Sequence, residues 1–164
     1  MRKTSMKISK IGSIAVLAMA VFACAKADTK VDYPENFQSW NHVKSMVLYA
    51  DHALADPFEG IHHIYANDVA MDGFDSNKFA EGSVIVFDLF ENNEGGGALQ
   101  EGPRKLTGVM VKDSKHFSKT GGWGFEGFAG SSKDERLVSD GGAGCYACHE
   151  SNVKESDYVF SKTR

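Results

Sequence analysis

Residues 83–90 read Ser-Val-Ile-Val-Phe-Asp-Leu-Phe, β-branched or aromatic at most positions, a composition that suits a strand. Alternation puts Ile85, Phe87 and Leu89 on one face and Val84, Val86 and Phe90 on the other. A strand apolar on both faces is covered on both sides. Upstream, Ile61 to Ala66 reads as another strand and Asn67 to Met71 as a short helical turn. Downstream, Leu106 to Lys112 and Gly122 to Ala129 are strands, the latter with Trp123, Phe125, Gly127 and Ala129 on one face. Asn92 to Pro103, with Gly95-Gly96-Gly97, reads as a flexible loop. Gly130 to Gly144 is a polar, glycine-rich connection, and Asp157 to Phe160 reads as a short edge strand. Towards the N-terminus, Trp40, Val43, Val47 and Ala50 recur at spacings of three and four, predicting an amphipathic helix from about Asn36 to Ala53. Asp56-Pro57 ends it. One such helix is too few for a four-helix bundle. The pattern predicts an α+β, β-rich fold: a mainly antiparallel sheet, a flanking N-terminal helix and a C-terminal attachment segment.

The first 27 residues read as an export signal rather than as part of the domain, which then spans 28–164. Arg2, Lys3, Lys7 and Lys10 form a basic start, Ile11 to Ala23 is apolar, and Ala25-Lys26-Ala27 supplies small residues for cleavage. The apolar stretch is shorter than the ~20 residues a membrane-spanning helix needs. Val21-Phe22-Ala23-Cys24 loosely resembles a lipoprotein box, with Phe22 a poor fit, so lipidation of Cys24 is the weaker variant. The chain carries 18 basic and 22 acidic residues, a net charge of −4. Cleavage would remove five basic residues and no acids, leaving 13 against 22, or −9. So acidic a protein is unsuited to nucleic acid or an anionic membrane. The expected location is the periplasm.

Of the three cysteines, only Cys145 and Cys148 lie beyond the signal. Their disulfide would close too short a loop to stabilise much. Cys145-Tyr146-Ala147-Cys148-His149 is the CxxCH pattern of covalent haem attachment. Two thiols must reach two vinyl groups on one porphyrin edge while the next residue turns its imidazole to the iron. A thioredoxin-type CxxC sits at a helix start after an early strand, and a structural zinc site needs more ligands than this pair. One covalent haem c, ligated by His149, is the expectation. Only 15 residues follow His149, none of them Met or His. A sixth ligand must therefore come from Met46, Met71, Met110, His42, His52, His62, His63 or His116, or the site stays open to small molecules.

From Pro34 to Lys162 the chain resembles the cytochrome P-460 family, which includes the cytochromes c′-β. The resemblance rests on Trp40, IHHIYAN at 61–67, FAEGSVIVFDLFE at 79–91, GVMVKD at 108–113, GGWGFEGF at 121–128, CYACH at 145–149 and DYVFSK at 157–162. It implies a sheet-based homodimer with a five-coordinate haem. One branch carries a lysine–haem cross-link and oxidises hydroxylamine with an acidic proton acceptor. The c′-β branch lacks the link, has distal phenylalanines and binds nitric oxide and related gases such as carbon monoxide. Phe87 stands where the cross-linking lysine would fall, and by the same resemblance Phe58 would be the second distal aromatic. A shifted alignment would make Lys78 the cross-linker. Asp113 matches the proton acceptor in kind only and reads equally as a solvated strand-end residue. Arg104 and Arg136 would pair with the haem propionates or stand as solvated loop arginines. A phenylalanine wall offers no base, which suits a gas binder and not hydroxylamine oxidation. A six-coordinate electron carrier, with its own redox partner, is the third reading.

Overall fold

The computed structural model describes residues 30–163. The export signal expected at 1–27, Cys24 included, lies outside the described residues. Five strands form one antiparallel sheet in chain order: β1 (Asn41–Leu48), β2 (Gly60–Ala66), β3 (Val84–Gly95), β4 (Ala98–Lys112) and β5 (Trp123–Ala129). Short α1 (Ala55–Phe58) lies between β1 and β2, α2 (Asp68–Ser76) between β2 and β3, and α3 (Ala143–Val153) after β5. The fold is α+β and β-rich, as the sequence predicts.

Register defines two faces. Ile64, Phe87, Gly108 and Gly127 align across β2 to β5, as do Ala66, Ile85, Met110 and Phe125. These rows make the Phe87 face. His63, Asp88, Thr107 and Phe128 form a row of the opposite, Asp88 face. The Phe87 face packs against Phe74 of α2, Phe79, Val159 and, from α3, Cys145 and Tyr146. On the Asp88 face Val31 packs with Val109 and Phe128. Tyr33 meets Phe128 edge-on at 5.1 Å. Both faces of β3 are thus covered.

The helix expected from Asn36 to Ala53 does not form. Its centre is edge strand β1, preceded by a 3-10 turn at Phe37–Ser39. A register shift between His42 and Lys44 inserts a bulge at Val43, and an extra residue turns the two-residue alternation of a strand into the wider spacings of a helix. Val43 and Leu48 are buried. The β2 ladder supplies hydrogen-bond partners that no local pattern announces.

The loop expected at Asn92–Pro103 is instead the outer arm of the β3–β4 hairpin, closed by Gly95 opposite Ala98. Gly96 and Gly97 both have positive φ (60° and 78°), as tight hairpin turns require. Pro103, without an N–H, falls where the ladder is irregular, between the Phe90–Arg104 and Asn92–Glu101 pairs. The arm is polar because it reaches beyond the covering layers. The edge strand expected at Asp157–Phe160 is also absent. Asp157 and Tyr158 are left-handed (φ 49° and 66°), held by polar contacts instead of a ladder. Asp157 pairs with Lys112 Nζ at 2.7 Å and accepts from Phe79 N at 2.9 Å, and its carbonyl accepts from Trp123 Nε1 at 2.9 Å.

Candidate haem-attachment site

Helix α3 begins at Gly142, whose φ of 86° suits glycine. A Cβ there would lie 3.1 Å from that of Phe125, so the glycine also lets the helix start against β5. The Asp140 carboxylate accepts from Gly142 N at 2.9 Å and Gly144 N at 2.7 Å. These bonds, chiefly that from Gly144, hold its carboxyl below the ordinary range. They satisfy N–H groups that a helix start leaves open.

On this helix Cys145 and Cys148 stand three residues apart, both half-buried thiols. Cys145 packs against the core of the Phe87 face. Burial, then the charge of Asp140, raises its thiol pKa. A catalytic CxxC needs the opposite shift at its reactive thiol, which Cys145 does not show. His149 Nδ1 lies 2.7 Å from the carbonyl oxygen of Tyr158. A carbonyl only accepts, so Nδ1 carries the proton and Nε2 keeps its lone pair. This is how proteins orient a ligating histidine. Burial pushes the ring's pKa down, favouring the neutral form that coordinates iron. Phe125 and Phe160 flank it at 5.0 and 4.9 Å.

The surroundings fit a haem. Gly108 and Gly127 sit directly opposite one another on the Phe87 face, and the side chains of Phe87 and Leu137 lie over them, 3.4 Å from where each Cβ would be. Leu137, over Gly127, is 50% exposed and Phe160, beside His149, 42%, apolar surface of the kind a flat hydrophobic ring covers. The residues that would hold the group are Cys145, Cys148 and His149.

Phe58 and Phe87 meet edge-on at 5.6 Å, so the two expected distal aromatics are neighbours. Phe87 packs against the same core cluster as Cys145. His62 stacks on Phe87 at 4.6 Å, tilted by 33°. It is only 7% exposed, and its Nδ1 is buried without a hydrogen-bond partner. Burial, then the charges of His63 and Lys44, lower its pKa to about 4. Sequence reasoning named His62 only as one of eight sixth-ligand candidates. Its place beside Phe87 depends on cross-strand register. Half-buried Lys44 aligns with Ile64, so a lysine that sequence reading missed is on the strand next to His62.

The other expected site residues lie elsewhere. Arg104 is on the Asp88 face, donating through Nε at 2.6 Å and Nη2 at 3.1 Å to Asp88. Its guanidinium lies over Phe90. Arg136 bonds Glu126 at 2.8 Å and the Val31 carbonyl at 2.6 Å, over Phe128. Each guanidinium pairs with a carboxylate of the sheet on the Asp88 face, Arg104 through two nitrogens and Arg136 through one. Asp113 accepts from His116 Nδ1 at 2.6 Å, and that bond holds its carboxyl below the ordinary range. It lines a cleft of about 440 Å³ with Tyr33, Val84, Val111 and Phe117, again away from His149. Lys78 is exposed in the turn after α2, its N–H bonded to the Gly73 carbonyl. Of the sixth-ligand candidates, Met71 and Met110 pack into the Phe87-face core, and Met46 is opposite His62. His52 accepts from Leu54 N at 3.1 Å. His42 and His63 meet at Ser45.

A helix carrying CxxCH over one face of an antiparallel meander defines a haem protein of the c type. The family model Cytochrome P-460 matches residues 34–161, and the chain belongs to that family. No curated protein matches it.

Proposed function

We propose that this is an exported monohaem protein of the c′-β kind, a periplasmic homodimer that binds nitric oxide and similar small gases. The observation that carries the reading is the Phe58–Phe87 pair on the face that also holds the CxxCH helix. With it goes the placement of Asp113, the expected proton acceptor, in the cleft of the other face. A haem bound here supplies an iron that takes neutral diatomic ligands. The chain's part is to fix and exclude. Cys145 and Cys148 would anchor the ring edge, and the Tyr158 carbonyl holds the proton on His149 Nδ1. Phe58 and Phe87 crowd the approach without offering a charge. Removing protons from hydroxylamine would call for a positioned base, an effect of about 10²–10⁴-fold. His62 is the basic group beside Phe87, and its low pKa makes it a weak one.

The second reading, hydroxylamine oxidation through a lysine–haem link, is favoured by one observation: Lys44 is half-buried and close enough for its charge to act on His62. Visible spectra of the purified protein test the choice. An ordinary high-spin Soret band, unmoved by hydroxylamine and shifted by nitric oxide, is expected. A strongly red-shifted band, haem reduction by hydroxylamine, and a haem-bearing peptide containing Lys44 or Lys78 would overturn it. Sedimentation at twice the mass of the mature chain tests the dimer.

A further inference from the structure

On the Asp88 face, away from the attachment helix, four side chains from three strands join in one chain of hydrogen bonds. His42 Nε2 lies 2.8 Å from Ser45 Oγ, and His63 Nδ1 lies 2.7 Å from the same oxygen. On its other nitrogen, His63 Nε2 is 2.7 Å from Glu101 Oε1. Carboxylates accept only, so His63 carries its proton on Nε2 and turns the Nδ1 lone pair towards Ser45. Two imidazole nitrogens therefore converge on one point, one of them already oriented by a carboxylate behind it. Histidines that ligate metal are held in this way. Tyr65 stands beside both rings, at 5.6 Å from His42 and 6.4 Å from His63, and Phe90 is 5.9 Å from His63. These aromatics restrict how the imidazoles turn.

We propose that His42 and His63 form a binding site for a divalent transition-metal ion of the zinc or copper class. Imidazole suits these ions, with metal–nitrogen distances of about 2.0–2.1 Å. With the His42 proton moved to Nδ1, both nitrogens present lone pairs towards Ser45 Oγ, and a shift of the exposed His42 and Ser45 side chains admits an ion between them. Among the described residues no three His, Cys, Asp or Glu side chains form a metal cluster. The site therefore supplies two protein nitrogens and leaves its other positions to water and the Ser45 hydroxyl. An ion bound so openly is exchangeable. The excess of acidic residues over basic ones, 22 to 18 in the whole chain, favours cation capture.

The reading does not depend on the haem site. Zn²⁺ titrated against the haem-loaded protein, in competition with a chromogenic chelator, tests it. One equivalent per chain is expected, with the visible haem spectrum unchanged. His42→Ala and His63→Ala each lose at least about tenfold in affinity, and Glu101→Gln loses about 10–100-fold, the usual effect of removing a carboxylate behind a ligating histidine. All three retain the parent circular dichroism. Parental affinity in either histidine variant overturns the site, and parental affinity in Glu101→Gln overturns the orienting role of the carboxylate.

Discussion

A neutral imidazole with a buried, unpartnered Nδ1 is unfavourable where His62 stands, since a polar group buried without a partner costs about 1–3 kcal/mol. Its titration makes the cost measurable. The unfolded chain binds a proton at His62 below about pH 6.5, whereas the folded protein does so only near pH 4. The contribution is fully present above the unfolded value and is lost as pH falls through this window. The loss amounts to about 3 kcal/mol across it. His62→Leu should flatten that part of the stability-against-pH curve and raise stability at pH 5. Urea unfolding of the haem-bearing protein at pH 4.5, 5.5 and 7 measures it, and an unchanged slope in the variant would refute the assignment. Cys145 and His149 show what was legible at this scale. Their CxxCH pattern is a spacing along the chain, so the sequence alone displays it. His62 was legible only as a histidine, because nothing within a few residues of it says which side chain of β3 it will meet.

At the scale of elements, the sheet's register decides which charges find partners. Asp88 is almost completely buried. Burial pushes its carboxyl pKa up, and the Arg104 fork opposes that shift. Burial lowers the pKa of Arg104, but the hydrogen bond and charge of Asp88, with Tyr33 and Glu101 adding to them, raise it overall. Removing one member of such a pair leaves the other uncompensated and typically costs about 3–5 kcal/mol. Arg104→Leu should lower stability by that order in denaturant unfolding while leaving the haem spectrum as it was, because the pair is on the Asp88 face. A changed Soret band would return Arg104 to the haem. Strands β2, β3 and β5 were readable from β-branched and aromatic runs, which report burial on a pleated surface. Strand β1 was not, because its bulge at Val43 breaks the two-residue period. The outer arm of β3 and β4 escaped notice because it buries nothing, and its pairing comes from the turn.

For the whole molecule, Trp123 joins the sheet to the C-terminal segment. It is fully buried against Phe79, and its indole N–H donates to the Asp157 carbonyl. One residue on, the Tyr158 carbonyl orients His149. Trp123→Ala should destabilise the protein by about 3–5 kcal/mol, read as a lower denaturant midpoint. Loosening the Tyr158 carbonyl should also broaden the ferric electron-spin-resonance signal of the haem. A variant with lost stability and an unaltered signal would separate the packing of Trp123 from the positioning of His149.

The sequence by itself determined the β-rich class, the two-sided burial of β3 and the CxxCH pattern. Each is set by periodicities or spacings within about ten residues, where side-chain direction follows from backbone geometry. The tertiary structure alone decided that Arg104, Arg136 and Asp113 lie away from the attachment helix and that His62 lies beside Phe87. It also decided that His42 and His63 converge. Those outcomes depend on register between strands distant in sequence and on one bulge that shifts the strand carrying His42. A one-residue slip in pairing moves every side chain to the other face, and nothing local to these residues fixes that slip.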